Sequence, residues 1–346
     1  MRPLSVITDP VYVPKERNAI EKFFLRFIVD ERDLPFVWLC LQITFFIVPA
    51  AIFLFTPVLT GGWWWLAASV YLVLHVALFI SPFTLMLHNT SHRKFFKADY
   101  NFMNQYIPWV IGPFMGQSPE LYYHHHIGMH HSEGNLKDDL SSTMPYQRDS
   151  FADFMKYYFS FMFQGFFELV RYFSWKKRYD FVRKCITGES LFMIVMIGLF
   201  FVNWQATLMV VFAPFFIIRF GMMAGNWGQH AFVDPNDPAN SFLNSVTCIN
   251  VFYNRRCFND GYHIGHHLFP RMHWTDMARN FQENKDKYAE NKALVFEGID
   301  FFVVWLFLML KRYDLLARHA VNINNIYKND DEFIAMVQQR LKKFNF

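Results

Sequence analysis

Charge is what this chain has least of. Asp, Glu, Lys and Arg make up 18% of its 346 residues, against about 25% in soluble domains, while 53% are apolar. The net charge of +4 is too small a surplus to be an electrostatic footprint for nucleic acid. The combination that marks disorder, low hydrophobicity with high net charge, is equally missing. Cysteine is scarce. Cys40, Cys185, Cys248 and Cys257 form no C-x-x-C pair, which excludes a disulfide scaffold and a Cys-based zinc site and fits a reducing compartment. The polar segment Met1–Asn18 lacks the apolar core of a signal peptide. No internal repeat or low-complexity linker interrupts the chain.

The charges are absent from two places in particular. None occurs in the 59 residues Leu34–His92 or in the 29 residues Ser190–Ile218. A bilayer-crossing helix needs about 20 apolar residues. The first gap therefore predicts spans over roughly Phe36–Phe55 and Trp63–Pro82, joined by the turn-forming Thr56–Gly62. The second predicts spans over Ile186–Val202 and Ala206–Gly225, with Asn203-Trp204-Gln205 as the turn. Soluble cores have no need of such long uncharged runs. Arg219 is expected to reach the headgroups from one end of the last span, and Pro214 to kink it. Neither turn carries Lys or Arg, so the positive-inside rule puts the N-terminal, middle and C-terminal segments on the cytoplasmic side.

The expected fold is an all-α integral membrane protein, one domain over residues 1–346. It has an N-terminal segment 1–33, four transmembrane helices in two hairpins, and a cytoplasmic helical cap from 86–185 and 226–346. Ile107–Met115, Phe151–Trp175 and Phe301–Leu310 are too short or too charged to span and read as interfacial or re-entrant pieces. Asp331–Phe346 reads as an amphipathic helix. Arg255-Arg256 and Lys176-Lys177-Arg178 read as surface charges meeting phospholipid headgroups, with docking of a partner protein as the alternative.

Histidine, by contrast, is concentrated. Ten of 14 lie within His88–His92, His124–His131 and His263–His267. His88 and His92 are four apart, on one face of a helix. His126, His130 and His131 form H-x-x-x-H-H; in an α-helix His130 shares the face of His126 and His131 lies about 100° round. His263, His266 and His267 form H-x-x-H-H, and Asn226 and His230 form N-x-x-x-H just past the fourth span. Imidazole-rich sites suit Zn, Cu, Fe or Ni. Nine histidines exceed one ion's needs and suit a pair. No Asp or Glu lies inside a motif, which excludes the soluble carboxylate di-iron bundle and the H-E-x-x-H zinc hydrolases. Neutral ligands leave the cations uncompensated, so carboxylates should hold the other ring nitrogens. Asp99, Glu120, Glu133, Asp138, Asp139, Asp234 and Asp260 are near enough in sequence, with Asp138 and Asp260 taken forward. Of the remaining histidines, His75 in mid-span reads as a buried, hydrogen-bonded residue. His273 reads as a neighbour of the third motif or a surface residue, and His319 as solvated. Asn89-Thr-Ser matches a glycosylation acceptor, but on the wrong side of the membrane.

These motifs resemble those of the membrane-bound fatty acid desaturase superfamily, the histidine-box di-iron enzymes. The matching residues are His88-Asn-Thr-Ser-His92, His126-Ile-Gly-Met-His130-His131, Asn226-Trp-Gly-Gln-His230 and His263-Ile-Gly-His266-His267-Leu-Phe-Pro270. The resemblance covers roughly residues 36–275. It implies two Fe ions held by His88, His92, His126, His130, His131, His230, His263, His266 and His267, with Asn226 near one iron through water. His124 and His125 precede the second box and leave a shifted register open; in the family register they support the site or are spare. The resemblance also implies O2 as co-substrate and an acyl chain in a narrow apolar tunnel, for which 43 Phe, 16 Tyr and 10 Trp are available as walls. With no His-Pro-Gly-Gly haem motif, electrons are expected from a separate donor of ferredoxin, rubredoxin or cytochrome b5 type.

The activity implied is O2-dependent desaturation of a fatty acid, acyl lipid or thioester. The same chemistry can end in hydroxylation, or in decarboxylation to a terminal alkene. Two rivals are of another class. A metal-transporting membrane protein would carry ligands along its spans, and a zinc-dependent lipid hydrolase would want fewer ligands and a carboxylate base.

Overall fold

The computed structural model describes residues 1–344 and is mostly helical. The chain divides into two compact units. The span unit comprises Val13–Gly128 and Phe166–Phe220; the terminal unit comprises Met1–Tyr12, Met129–Gly165 and the chain from Gly221 on.

Among the described residues, four helices are long and apolar enough to cross a membrane: Glu31–Leu54, Gly61–His92, Tyr179–Val202 and Trp204–Gln229. They coincide with the predicted spans but run further, and the second carries the first histidine box on its last turns. Phe45, Phe46, Trp63 and Phe201 point outward, each at least 67% exposed, as lipid-facing side chains do. Trp64 Nε1 donates to Leu54 O at 3.0 Å, joining the end of the first helix to the start of the second. Between the third and fourth, the expected three-residue turn shrinks to Asn203, whose side chain accepts from Ala206 N and so caps the fourth helix.

Prolines inside these helices are absorbed in one way. Wide π-helical turns at Ile43–Ile47, His75–Ile80 and Leu208–Phe212 precede Pro49, Pro82 and Pro214. A proline ring clashes with the carbonyl four residues back. Those residues are Phe45, Leu78 and Val210, each inside the wide turn, where the backbone has moved out to i→i+5 bonding. Pro214 thus sits just after an opened turn.

Ile107–Met115 packs inside the span unit. Ile107, Ile111 and Met115 are fully buried within the span unit, and Met115 Sδ lies 3.1 Å from His75 Nε2, which gives His75 its expected buried partner. Irregular backbone persists in a buried setting only when protein covers it and meets its polar groups. Arg219 supplies part of that cover, and the expectation that it reaches the headgroups is not met. It is 5% exposed, donates to Gly116 O at 2.8 Å and lies 3.5 Å from the centre of the Phe215 ring. A charge-assisted hydrogen bond to the buried Gly116 carbonyl holds the guanidinium inside the unit.

Gly116 has φ 77°, and a Cβ on it would meet Pro214 C at 2.6 Å and Phe215 N at 2.7 Å, both backbone. Gly116→Ala should therefore cost well over about 1 kcal/mol. Gly61→Ala, at φ 56° with nothing within 4 Å, should cost only backbone strain of about 1–2 kcal/mol. Thermal unfolding of the detergent-solubilised variants should rank them in that order.

The terminal unit departs from the all-α expectation. Val246–Ile249 and Leu294–Glu297 pair as a parallel two-stranded sheet, Val246 opposite Leu294. Both runs are only four residues long and nearly all buried, too short for a strand period to be read in the sequence. Phe301–Met309 is a helix capped by Asp300, with Phe301, Val304, Trp305 and Leu308 buried and Phe302 and Leu306 exposed. The expected C-terminal helix is Asp330–Arg340, capped by Asn329; residues 345 and 346 of that expectation lie outside the described residues. The polar N-terminal segment reaches the interior of the terminal unit. Asp9 is buried and its Oδ2 accepts from Asn250 N at 2.7 Å and from Tyr262 OH at 2.6 Å, directly ahead of the third box.

Candidate metal centre

In the span unit, the helix Gly61–His92 presents His88 and His92 one turn apart, ring centroids 5.2 Å from each other. The residues between them are tied down. Asn89 donates to Leu85 O, Thr90 to Met86 O and Ser91 to Leu87 O, so the Asn89 amide serves the helix. His126, from the second box, brings its Nε2 to 3.0 Å from His92 Nε2, and its ring centroid to 4.5 Å from that of His88. Each of these three histidines offers a nitrogen within 4.8 Å of the others. Tyr122 stacks on His126 at 5.4 Å. Arg178, expected at the headgroups, donates to Gly128 O at 2.8 Å and sits 3.8 Å over Phe181, so it steadies the second box.

The second box is itself π-helical over His124–His130. In so wide a turn the residue returning to a face is i+5 rather than i+4. The α-helical pairing of His126 with His130 therefore no longer applies. His130 instead joins His230 and His267 in the terminal unit, the three offering nitrogens within 4.8 Å of one another. His131 faces His266, Nε2 to Nε2 at 3.0 Å. His263 lies between two partners, 3.1 Å from His230 Nε2 and 3.0 Å from His267 Nε2.

These distances fit metal ligation. Two nitrogens at right angles, each about 2.1 Å from one ion, lie about 3 Å apart. The protonation pattern fits too. His130 Nδ1 donates to Asp139 Oδ2 at 2.7 Å and His230 Nδ1 to Asn244 O at 2.9 Å, which leaves each Nε2 with its lone pair directed at its neighbours. Burial, then the facing His130, pulls His230 down to about 4. Burial, then His263 and the other imidazoles, holds His267 well below its ordinary value. His230 and His267 are thus held as neutral donors. A polar hollow of about 180 Å³, lined by His131, Glu133, His230, Ser241, Asn244 and His267, opens beside them.

Other expected residues lie elsewhere. His124 Nδ1 is held by Glu120 O at 2.8 Å and its ring packs edge-on against Phe181 at 4.4 Å; burial lowers its pKa. Among the described residues, neither His124 nor His125 belongs to a ligand group. Asp138 is exposed, and its neighbour Asp139 holds His130 instead. Consecutive residues of a tight turn point apart, and nothing in the pair tells which turns inward. Asp260 is buried beside the third box and accepts from Tyr253 OH at 2.7 Å and Gln229 Nε2 at 3.4 Å. Asn226 donates from Nδ2 to Ser141 O at 3.0 Å and to Tyr157 OH at 2.7 Å, leaving Oδ1 as its acceptor. Tyr157 had no signal in its aromatic-rich stretch; burial raises its pKa strongly, so it stays a neutral hydroxyl. Asp234 pairs with Arg340 at 2.9 Å and Glu120 accepts from Trp109 at 2.9 Å. His273 is buried and accepts from Thr275 at a short helix start, and His319 donates to Glu297 O.

The sequence model of the fatty acid desaturase family matches residues 62–298, more than half of the chain and all four histidine motifs. The chain belongs to the fatty acid desaturase family. No curated protein and no solved structure matches it. Membership indicates a fatty acid desaturase-like oxidoreductase acting on fatty acyl substrates in a membrane, and its histidine groups are able to bind metal. In this desaturase-family chain Asn244, Tyr157 and Arg178 stand beside the histidine boxes with no motif to announce them, whereas Asp139 is among the carboxylates near enough in sequence.

Proposed function

We propose that this family member is a di-iron oxidoreductase that uses O2 to desaturate a fatty acyl chain, with the nine box histidines as ligands of two irons. The observation that carries the reading is the row of Nε2 atoms about 3 Å apart, with His130 Nδ1 fixed by Asp139. When bound, the irons would supply the O2-derived oxidising power that removing hydrogen from an unactivated C–H bond requires. The chain's own residues hold His130 and His230 in one tautomer, with Asp139 placing negative charge beside a cationic centre. Asn226 Oδ1, its amide nitrogen held by Ser141 and Tyr157, is available to orient water near that centre. An apolar cavity of about 480 Å³ in the span unit, lined by Ala51, Phe55, Trp109, Phe114, Leu191 and Met196 among others, suits hydrocarbon rather than polar cargo.

The same proposal takes the four helices as two hairpins, with the histidine boxes on the cytoplasmic side of a bacterial inner membrane or endoplasmic reticulum. Electrons would come from a separate ferredoxin, rubredoxin or cytochrome b5 type donor. Two measurements test it. Metal analysis of the purified protein should give about two irons per chain, where a hydrolase would hold about one zinc. Mass spectrometry of lipids and hydrocarbons from an expressing host should reveal new double bonds. New hydroxyl groups or terminal alkenes would redirect the proposal to hydroxylation or decarboxylation, and no change in either class would end it.

A further inference from the structure

Arg148 is fully buried at 0% exposure, on the chain that follows the second box. Its guanidinium binds main chain from three separate parts of the terminal unit. Nε donates to Ala231 O at 2.8 Å, and Ala231 directly follows His230. Nη1 donates to Met144 O at 3.2 Å and Tyr146 O at 3.1 Å, fixing its own loop. Nη2 donates to Arg340 O at 2.6 Å and Lys342 O at 2.5 Å, at the end of the helix Asp330–Arg340. Those are carbonyls with no intrahelical partner, at the negative end of the helix dipole. A buried cation is costly, and here the helix end offsets that cost.

A second contact joins the same parts. Arg340, itself 5% exposed, pairs with Asp234 at 2.9 Å, four residues after His230. His230 O accepts from Thr143 Oγ1 at 2.6 Å, so consecutive carbonyls at His230 and Ala231 are both held. The His230 ring, fixed by Asn244 through Nδ1, therefore rests on a main chain pinned by the C-terminal helix through Arg148. The sequence model of the family ends at 298, well before this helix.

We infer that Arg148 is a positioning residue for His230, and that the C-terminal helix Asp330–Arg340 is a working part of the metal centre rather than a surface addition. The inference rests on the proposed metal ligation by His230. It is tested in the full-length protein with Arg148→Lys, which keeps the charge but loses the fork, and with Arg340→Gln, which removes the pair with Asp234 and a long contact to Lys292 O at 3.4 Å. Both variants should fold and enter the membrane. Iron retention against a chelator should fall about tenfold or more in Arg148→Lys and less in Arg340→Gln. The loss should appear in kcat, with KM for the acyl substrate unchanged. Amide hydrogen exchange at 231–234 should accelerate in both. Wild-type iron retention together with wild-type exchange at 231–234 in Arg148→Lys would overturn the inference. Should the wild-type protein bind no iron, the ligation reading fails by itself; exchange at 231–234 then decides the C-terminal coupling, faster in the variants if it exists and unchanged if it does not.

Discussion

His130→Ala is expected to reduce turnover to background and to lower the iron content, while the protein still folds and inserts. The ring's removal takes a donor from the group it forms with His230 and His267. It does not strand the carboxylate behind it. Asp139 would still accept from Asn135 N at 2.8 Å and from Ser141 N and Oγ, both at 2.7 Å. The loop therefore keeps its hydrogen bonds, and the loss falls on the metal rather than on the fold. His266→Ala, which leaves His131 without its 3.0 Å neighbour, should behave the same way. His124→Ala should do the opposite. It removes a buried ring packed against Phe181, so the unfolding midpoint should drop while iron is retained. Iron per chain, turnover and thermal unfolding of the three variants check this together. Full activity in His130→Ala would refute its role as a ligand. Iron loss at wild-type stability in His124→Ala would mean that the second box is read in a shifted register.

That contrast shows where sequence reading works and where it stops. The spans were legible because lipid forbids charge over a fixed length, so the gaps before Arg93 and around Ala206 mark them directly. The boxes were legible because ten imidazoles in short windows have few other uses. What a window does not reveal is the helix type inside it. The same H-x-x-x-H-H gives different faces in an α-helix and a π-helix, and the wide turn His124–His130 sent His130 to His230. Single polar residues were misread for a related reason. Arg219 and Arg178 look like headgroup charges until the carbonyls of Gly116 and Gly128 are found beside them, and those partners are 103 and 50 residues away. Tertiary proximity of this kind leaves no local pattern. The sheet formed by Val246–Ile249 and Leu294–Glu297 was missed because four buried residues carry no period.

Asp139→Asn should weaken iron binding by about 10–100-fold, the usual effect of losing a carboxylate behind a ligating histidine. All four of its known donors point inward: His130 Nδ1 and Asn135 N to Oδ2, Ser141 N and Oγ to Oδ1. An asparagine matches the shape but must place an NH2 against one of these pairs. With nitrogen at the Oδ2 position it faces the Asn135 amide and drives the His130 proton to Nε2, where it blocks the lone pair needed for metal. With nitrogen at the Oδ1 position it opposes the Ser141 amide, and His130 keeps its tautomer but loses the negative charge that makes its Nε2 a stronger donor. Either arrangement lowers affinity, and each tenfold corresponds to about 1.4 kcal/mol. Asp138→Asn, one residue away and exposed, should leave iron affinity and turnover unchanged. Competition with a chelator across both variants reads the difference. Equal affinity in Asp139→Asn and Asp138→Asn would mean that the carboxylate behind His130 does not act on the metal, and that its four hydrogen bonds serve the loop alone.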